Sequence, residues 1–142
     1  MKPRCMPVGI ADAYAEDLIK VGTVDRTQRV SIRGDFRFAV QLLVAVTAEA
    51  AAVSASFGSM DFHLYDSVDR SHWSRVPPVD RDPGRVTNFD RGDMGAIARY
   101  GVIFGPFLAL ELYPEEQSRW DGVAIRVVSK GGMWGYREEN IA

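Results

Sequence analysis

The chain has 142 residues, 46% hydrophobic and 25% charged, with Lys+Arg 17 against Asp+Glu 19 and a formal net charge of -2. A single domain of this size buries enough surface to stand without a disulfide or a metal staple, and the composition is that of a folded globule rather than a disordered chain. So balanced a charge excludes a protein that lives on phosphate contacts, and direct nucleic-acid binding is not expected.

The first residues, Met1 to Val8, carry Lys2 and Arg4 but are broken by Pro3 and Pro7, and no apolar run comes after them. That is not the pattern of a secretory signal. Cys5 has no second cysteine to pair with, so it reads as an incidental thiol. Ala11, Tyr14, Ala15, Leu18 and Ile19 fall at helical spacing, with Asp12, Glu16 and Asp17 on the other side, which predicts a short helix over Ala11–Lys20. So short a helix needs a surface to lie on. Residues 1–28 are therefore read as an N-terminal arm, distinct from the remainder of the chain.

From Arg29 the period changes to two. Val30 and Ile32 alternate with Ser31 and Arg33; after Gly34-Asp35, Phe36, Phe38, Val40, Leu42, Val44 and Val46 share one face. A long half-buried strand with a break near Glu49 is predicted. The stretch Phe36 to Val53 is interrupted by Arg37, Gln41, Thr47 and Glu49, which leaves it short of the ~18 uninterrupted apolar residues of a membrane span. No membrane partner is expected, and synthesis in a cytosol is.

Met60, Phe62 and Leu64 mark the next strand and Trp73 to Val76 a short one, halted by Pro77-Pro78. Residues 77–95, rich in proline, glycine and Asp-Arg neighbours, read as a long exposed loop. Ala96–Phe104, Phe107–Tyr113 and Gly122–Ser129 complete the strands, with Pro114 to Asp121 as a polar hairpin loop between the last two. Roughly seven or eight short strands separated by turn signals predict an all-β fold, an antiparallel β-sandwich of jelly-roll-like form. The predicted organisation is an arm over 1–28, a sandwich over 29–131 and a tail over 132–142.

The residues do not spell out a reaction. Asp80-Arg81-Asp82-Pro83-Gly84 lacks the bidentate glutamate of a calcium loop. His63 and His72 have no second soft ligand beside them, and nothing marks Ser71 or Ser74 as an activated nucleophile. Glu111, Glu115 and Glu116 could pair as glycosidase acids, but Glu115 and Glu116 come after Pro114 in a loop where solvated charge is the default. The two Arg-Gly-Asp triplets, at 33–35 and 91–93, read as turns. No catalytic residue, cofactor or metal is assigned.

The most informative segment runs from Phe62 to Val76: a strand, a turn containing Ser67-Val68-Asp69, then Trp73 opening the partner strand. An indole at that place can lie across the turn and pin the hairpin register. This segment resembles the small β-sandwich proteins of tailed-bacteriophage virions (head, neck and tail accessory proteins), whose usual form is strand, Ser-x-Asp-Gly-x-x-x-Trp, strand. Gly105-Pro106-Phe107-Leu108-Ala109-Leu110-Glu111-Leu112 and Asp121 to Gly131, ending in Lys130-Gly131, look like the later part of those proteins. The likeness covers roughly residues 29–131 and departs at Arg70, where the usual turn glycine is replaced, and in the 77–95 insertion.

The resemblance implies a structural subunit of a virion, assembled in the host cytoplasm, whose partners are other virion proteins and copies of itself. Buried aromatic and apolar anchors dominate such interfaces, so Tyr14, Leu18 and Ile19 in the arm and Trp134 and Tyr136 in the tail are the interface candidates. The hairpin is also similar to discoidin-type, galactose-binding-like sandwiches, with Ala98-Arg99-Tyr100 echoing one of their strands. That likeness implies a carbohydrate-binding module, with Trp120, Tyr113 or Trp73 as the stacking platform and Trp120, between Arg119 and Asp121, as the exposed one.

Overall fold

The computed structural model describes residues 14–15, 18–33, 39–52, 58–80, 84–88, 94–101 and 105–131. Among them there is no helix, and the strands are β1 (Tyr14–Ala15), β2 (Ile19–Val24), β3 (Gln28–Ile32), β4 (Ala39–Ala48), β5 (Ala50–Ala52), β6 (Ser59–Ser67), β7 (Ser74–Arg75), β8 (Gly84–Thr87), β9 (Met94–Tyr100), β10 (Phe107–Pro114) and β11 (Arg119–Gly131). They form two antiparallel sheets. In the first, β11 is flanked on one side by β1 and β2 and on the other by β4 and β5, with β9 beyond β4. In the second, β10 lies between β3 and β6, and β7 and β8 line the far side of β6.

Taking β1 with β2, β4 with β5 and β7 with β8 as single lanes, the chain visits the sheets in the order first, second, first, second, second, first, second, first. That alternation is the jelly roll, a double-sheet sandwich.

Alternating side chains make the core. In β6, Met60, Phe62 and Leu64 are fully buried while Asp61, His63 and Tyr65 face the other way. In β4, Leu42, Val44 and Val46 point inward, as the period-two reading requires. Facing them from the second sheet are Leu108, Leu110 and Leu112 of β10, each of which contributes about 1.5–3 kcal/mol on burial. Tyr100 closes one part of the core, and its burial pushes the hydroxyl up to about 12.

Two sequence readings are corrected. The predicted helix over Ala11–Lys20 is not formed: Tyr14–Ala15 and Ile19–Val24 are strands paired with β11. Residues 19–24 therefore belong to the first sheet, and Val24 is part of the core. The 77–95 segment is not all loop. Pro78 bridges to Tyr100, and β8 adds to the second sheet beside β6, with Gly84 under the Phe62 ring. The break near Glu49 is present as a bend between β4 and β5, where the Glu49 amide donates to the Asp121 carbonyl at 2.9 Å. Phe36 and Phe38 lie outside the described residues.

Gly22 and Gly122 adopt positive φ (91° and 65°) where the β2–β11 register shifts, so this bulge is built on the residue that tolerates it. The turn from β10 to β11 has no such help, since Gln117 sits at φ 64°. Gln117 is exposed. Replacing Gln117 by glycine relieves the left-handed strain, and thermal unfolding should show a gain of about 0.5–1 kcal/mol.

Candidate functional site

The hairpin of β6 and β7 is tied by its own turn. The Ser67 hydroxyl accepts from the amides of Asp69 (3.1 Å) and Arg70 (2.8 Å), and Asp69 Oδ1 accepts from the amides of Ser71 (2.8 Å) and His72 (2.9 Å). Asp69 Oδ2 meets His72 Nδ1 at 2.9 Å. Bonds from the His72 ring, then from the His72 and Ser71 amides, hold the Asp69 carboxyl well below the usual carboxylate range. Arg70 has φ 68°, a left-handed conformation that favours glycine. Its guanidinium lies 4.3 Å from the Phe107 ring centroid, a contact glycine cannot make.

The start of β10 packs onto this turn. The Gly105 amide donates to Asp66 Oδ2 at 3.0 Å, and a Cβ on Gly105 would stand 2.2 Å from the Ser67 carbonyl oxygen. The Ser-x-Asp turn and the Gly-Pro-Phe sequence, about forty residues apart, are thus one unit in space.

The outer face of the second sheet carries a connected group of aromatic and charged side chains. Glu111 on β10 is opposite Arg29 on β3 and His63 on β6, and Arg29 Nε donates to Glu111 Oε2 at 2.7 Å. The Tyr113 hydroxyl donates to Glu111 Oε1, and it also shares a 3.1 Å hydrogen bond with the Tyr65 hydroxyl. The Arg29 guanidinium carbon lies 5.5 Å from the Tyr65 ring centroid and 5.4 Å from that of Trp73. His63 meets Tyr113 edge-on at 5.2 Å, and Arg75 lies 2.7 Å from His63 Nδ1.

The electrostatics of this face are set by its contacts. The bond from Tyr113, with that from Arg29, holds the Glu111 carboxyl below its ordinary value. Burial, then the Arg75 charge, lowers the His63 pKa, against the raising influence of Asp61 and Glu111. Burial and the ionised Glu111 push Tyr113 up. Neutral His63 accepts from Arg75, and ionised Glu111 accepts from both Arg29 and Tyr113. Both depressed groups add stability above their ordinary values and lose it as the pH falls through their folded values. Acidification should therefore loosen the face in two steps, His63 below 6.5 and Glu111 below 4.5. Urea unfolding against pH checks this: His63→Gln should flatten the first step and Glu111→Gln the second.

Chemically, this is a plate of aromatic rings and charged groups already hydrogen-bonded to one another. It offers ring faces and polar edges, and its Glu111 carboxylate, held below its ordinary value, is poorly suited to act as an acid. Glu111 and Glu115 do not pair: Glu115 Oε1 accepts from the Ser59 amide at 3.0 Å, in the turn after β10. Among the described residues no three His, Cys, Asp or Glu side chains gather as a metal-binding group.

The stacking candidates separate. Tyr113 and Trp73 are half-buried, and the Trp73 ring meets the Arg29 guanidinium of β3. Trp120 is wholly buried, its indole N–H donating to Ser118 Oγ at 3.0 Å, so it is a core anchor and no exposed platform. Of the interface candidates, Leu18 is 44% exposed and Ile19 packs partly against the core. Tyr14 pairs through its backbone with Ser129. Trp134 and Tyr136 lie outside the described residues. Sequence reading missed Arg29, His63, Tyr65 and Glu111 as members of one face. The signal for two of them was present, because the alternation that buries Met60, Phe62 and Leu64 must turn His63 and Tyr65 outward.

No family model and no curated protein matches the chain. Among solved structures it is similar to a recombinantly expressed latent aurone synthase (polyphenol oxidase), with 15% identity and a TM-score of 0.40 over 80% of this chain and 26% of that one. A latent aurone synthase from natural source gives 16% identity and a TM-score of 0.37 over 91% of this chain and 27% of that one. The chain thus spans about a quarter of the length of these proteins. Similarity at this level carries no functional argument.

Proposed function

We propose that the chain is a structural subunit of a tailed-phage particle, a head, neck or tail accessory protein that works through contacts with other virion proteins and with copies of itself. The observation that carries this reading is the unity of the residues behind the resemblance. Ser67, Asp69, Arg70, Gly105 and Phe107 pack on one another as a single knot, with Arg70 in a left-handed conformation that favours glycine. The jelly-roll lane order adds a fold-level analogy, since viral capsid domains use it, as do lectins, so the order alone does not choose between the two.

A carbohydrate-binding module is the second reading, and one observation favours it. Trp73, Tyr65 and Tyr113 share a face with Arg29 and Glu111, which brings ring surfaces and hydrogen-bonding groups together. Mass photometry of the purified chain, paired with a tryptophan-fluorescence titration against simple sugars, separates the readings. Discrete oligomers with no saturable quenching support the particle subunit. A monomer at every concentration whose emission is quenched by a sugar, with the effect lost in Trp73→Phe, supports the module.

A further inference from the structure

An edge strand offers a row of backbone donors and acceptors to any other strand, and folded chains blunt such edges with bulges, covers or short lengths. Three of the edge lanes among the described residues are treated in this way. β2 carries the Gly22 bulge, where its register against β11 shifts. β9 is bridged at Tyr100 by Pro78, and its Arg99 carbonyl accepts from the Val79 amide at 2.8 Å. The lane beyond β6 is divided between β7, with two residues, and β8, with four. β3 has none of these devices. All five of its residues, Gln28–Ile32, keep an unbroken register on β10, and no described residue pairs with its other side.

The side chains of this edge are left incomplete as well. Alternation turns Val30 and Ile32 inward and Arg29 and Ser31 outward. Ile32 is buried, whereas Val30, at the middle of the strand, stays half-buried against the core. Ile19 and Val21 of β2, the edge lane that leads into β3 through residues 25–27, are half-buried in the same manner.

We infer that the free edge of β3 is a strand-addition surface for a second copy of this chain, paired antiparallel about a two-fold axis at Val30. The strand is self-complementary in that register, which uses all five residues. It sets Val30 against its own equivalent on the inner side, and Arg29 against the partner's Ser31 on the outer side. A two-fold axis at Arg29 would oppose two arginines, and one at Ser31 would oppose Arg29 and Arg33, so neighbouring registers are penalised by like charge. Backbone hydrogen bonds supply the attachment, as in other strand additions, and the Val30 pair covers the apolar margin. The inference rests on the particle reading's contacts between copies and names the edge that makes them.

The test reads self-association of the full chain by sedimentation velocity as concentration is raised. A dimer is expected. Ser31 is exposed, so its charge can be changed without touching the core. Ser31→Glu, facing Arg29 across the axis, should tighten the dimer several-fold, and Ser31→Lys should weaken it several-fold, with the parent's strand signal in circular dichroism. In a Cys5→Ser background, Val30→Cys should be joined into a covalent dimer by a short thiol crosslinker faster than Ile97→Cys, although Ile97 is 68% exposed on the outer face of the first sheet. A chain that stays monomeric overturns the inference, as does a dimer equally strong with Glu or Lys at position 31. Faster joining through Ile97→Cys overturns it too, but leaves the particle reading standing because copies still associate.

Discussion

Trp120→Ala should cost about 3–5 kcal/mol and lower the melting temperature by roughly 10 °C or more. Trp120 is the largest fully buried side chain among the described residues. It stands where three lanes meet, opposite Val24 of β2 on one side and Ala51 of β5 on the other. Removing the indole leaves a cavity in the first sheet's inner layer. It also strips the Ser118 hydroxyl, itself 4% exposed, of the N–H it accepts from. Trp120→Phe should cost less, about 1–3 kcal/mol, because the volume is largely refilled while the hydrogen bond is still lost. Urea unfolding of both variants checks the order. A Trp120→Ala protein that melts like the parent would place the indole outside the core and reopen its use as a stacking platform.

The second large effect is expected at Gly105. A Cβ there meets backbone at 2.2 Å from the Ser67 carbonyl oxygen, 2.4 Å from its carbon and 2.9 Å from its nitrogen. Backbone cannot swing aside as a side chain can. Phe107 pairs with Ser67 two residues later, so relief would mean moving the first rungs of the β10–β6 ladder and breaking the hydrogen bond that the Gly105 amide donates to buried Asp66. Gly105→Ala should therefore lose about 3 kcal/mol or more. Gly22→Ala is the control: its Cβ meets nothing within 4 Å, and only the φ of 91° opposes it. Its cost should stay near 1–2 kcal/mol. If Gly22→Ala proved the more damaging in thermal unfolding, the packing of Gly105 on the hairpin turn would be wrong.

Both effects bear on what a sequence can and cannot disclose. The alternation of Leu42, Val44 and Val46 is a local signal, and it marks the inward face of β4 correctly. The arm misleads because Ala11, Tyr14, Ala15, Leu18 and Ile19 fit a helical stripe, whereas Ile19–Val24 becomes a strand by pairing with β11, about a hundred residues later. Trp120 misleads through its neighbours. Arg119 and Asp121 suggest solvent, but along a strand the charged neighbours of an inward residue point outward, and Ser118 and Trp120 are the inward pair. β8 is hidden by the proline and glycine around it. Its opening Gly84 is a sheet position covered by the Phe62 ring rather than a loop hinge. Of the candidate face, Trp73 and Tyr113 are legible as aromatics of interest. The Arg29–Glu111 pair is not, because its partners lie 82 residues apart and meet only through the β3–β10 register.

The measurement that bears most directly on the proposed role is quantitative mass spectrometry of gradient-purified particles from a lysate made by the genome that encodes the chain. The account predicts peptides of this protein at a fixed ratio to the other particle proteins, retained through salt washing. Particles complete in every other component and free of this chain would contradict it.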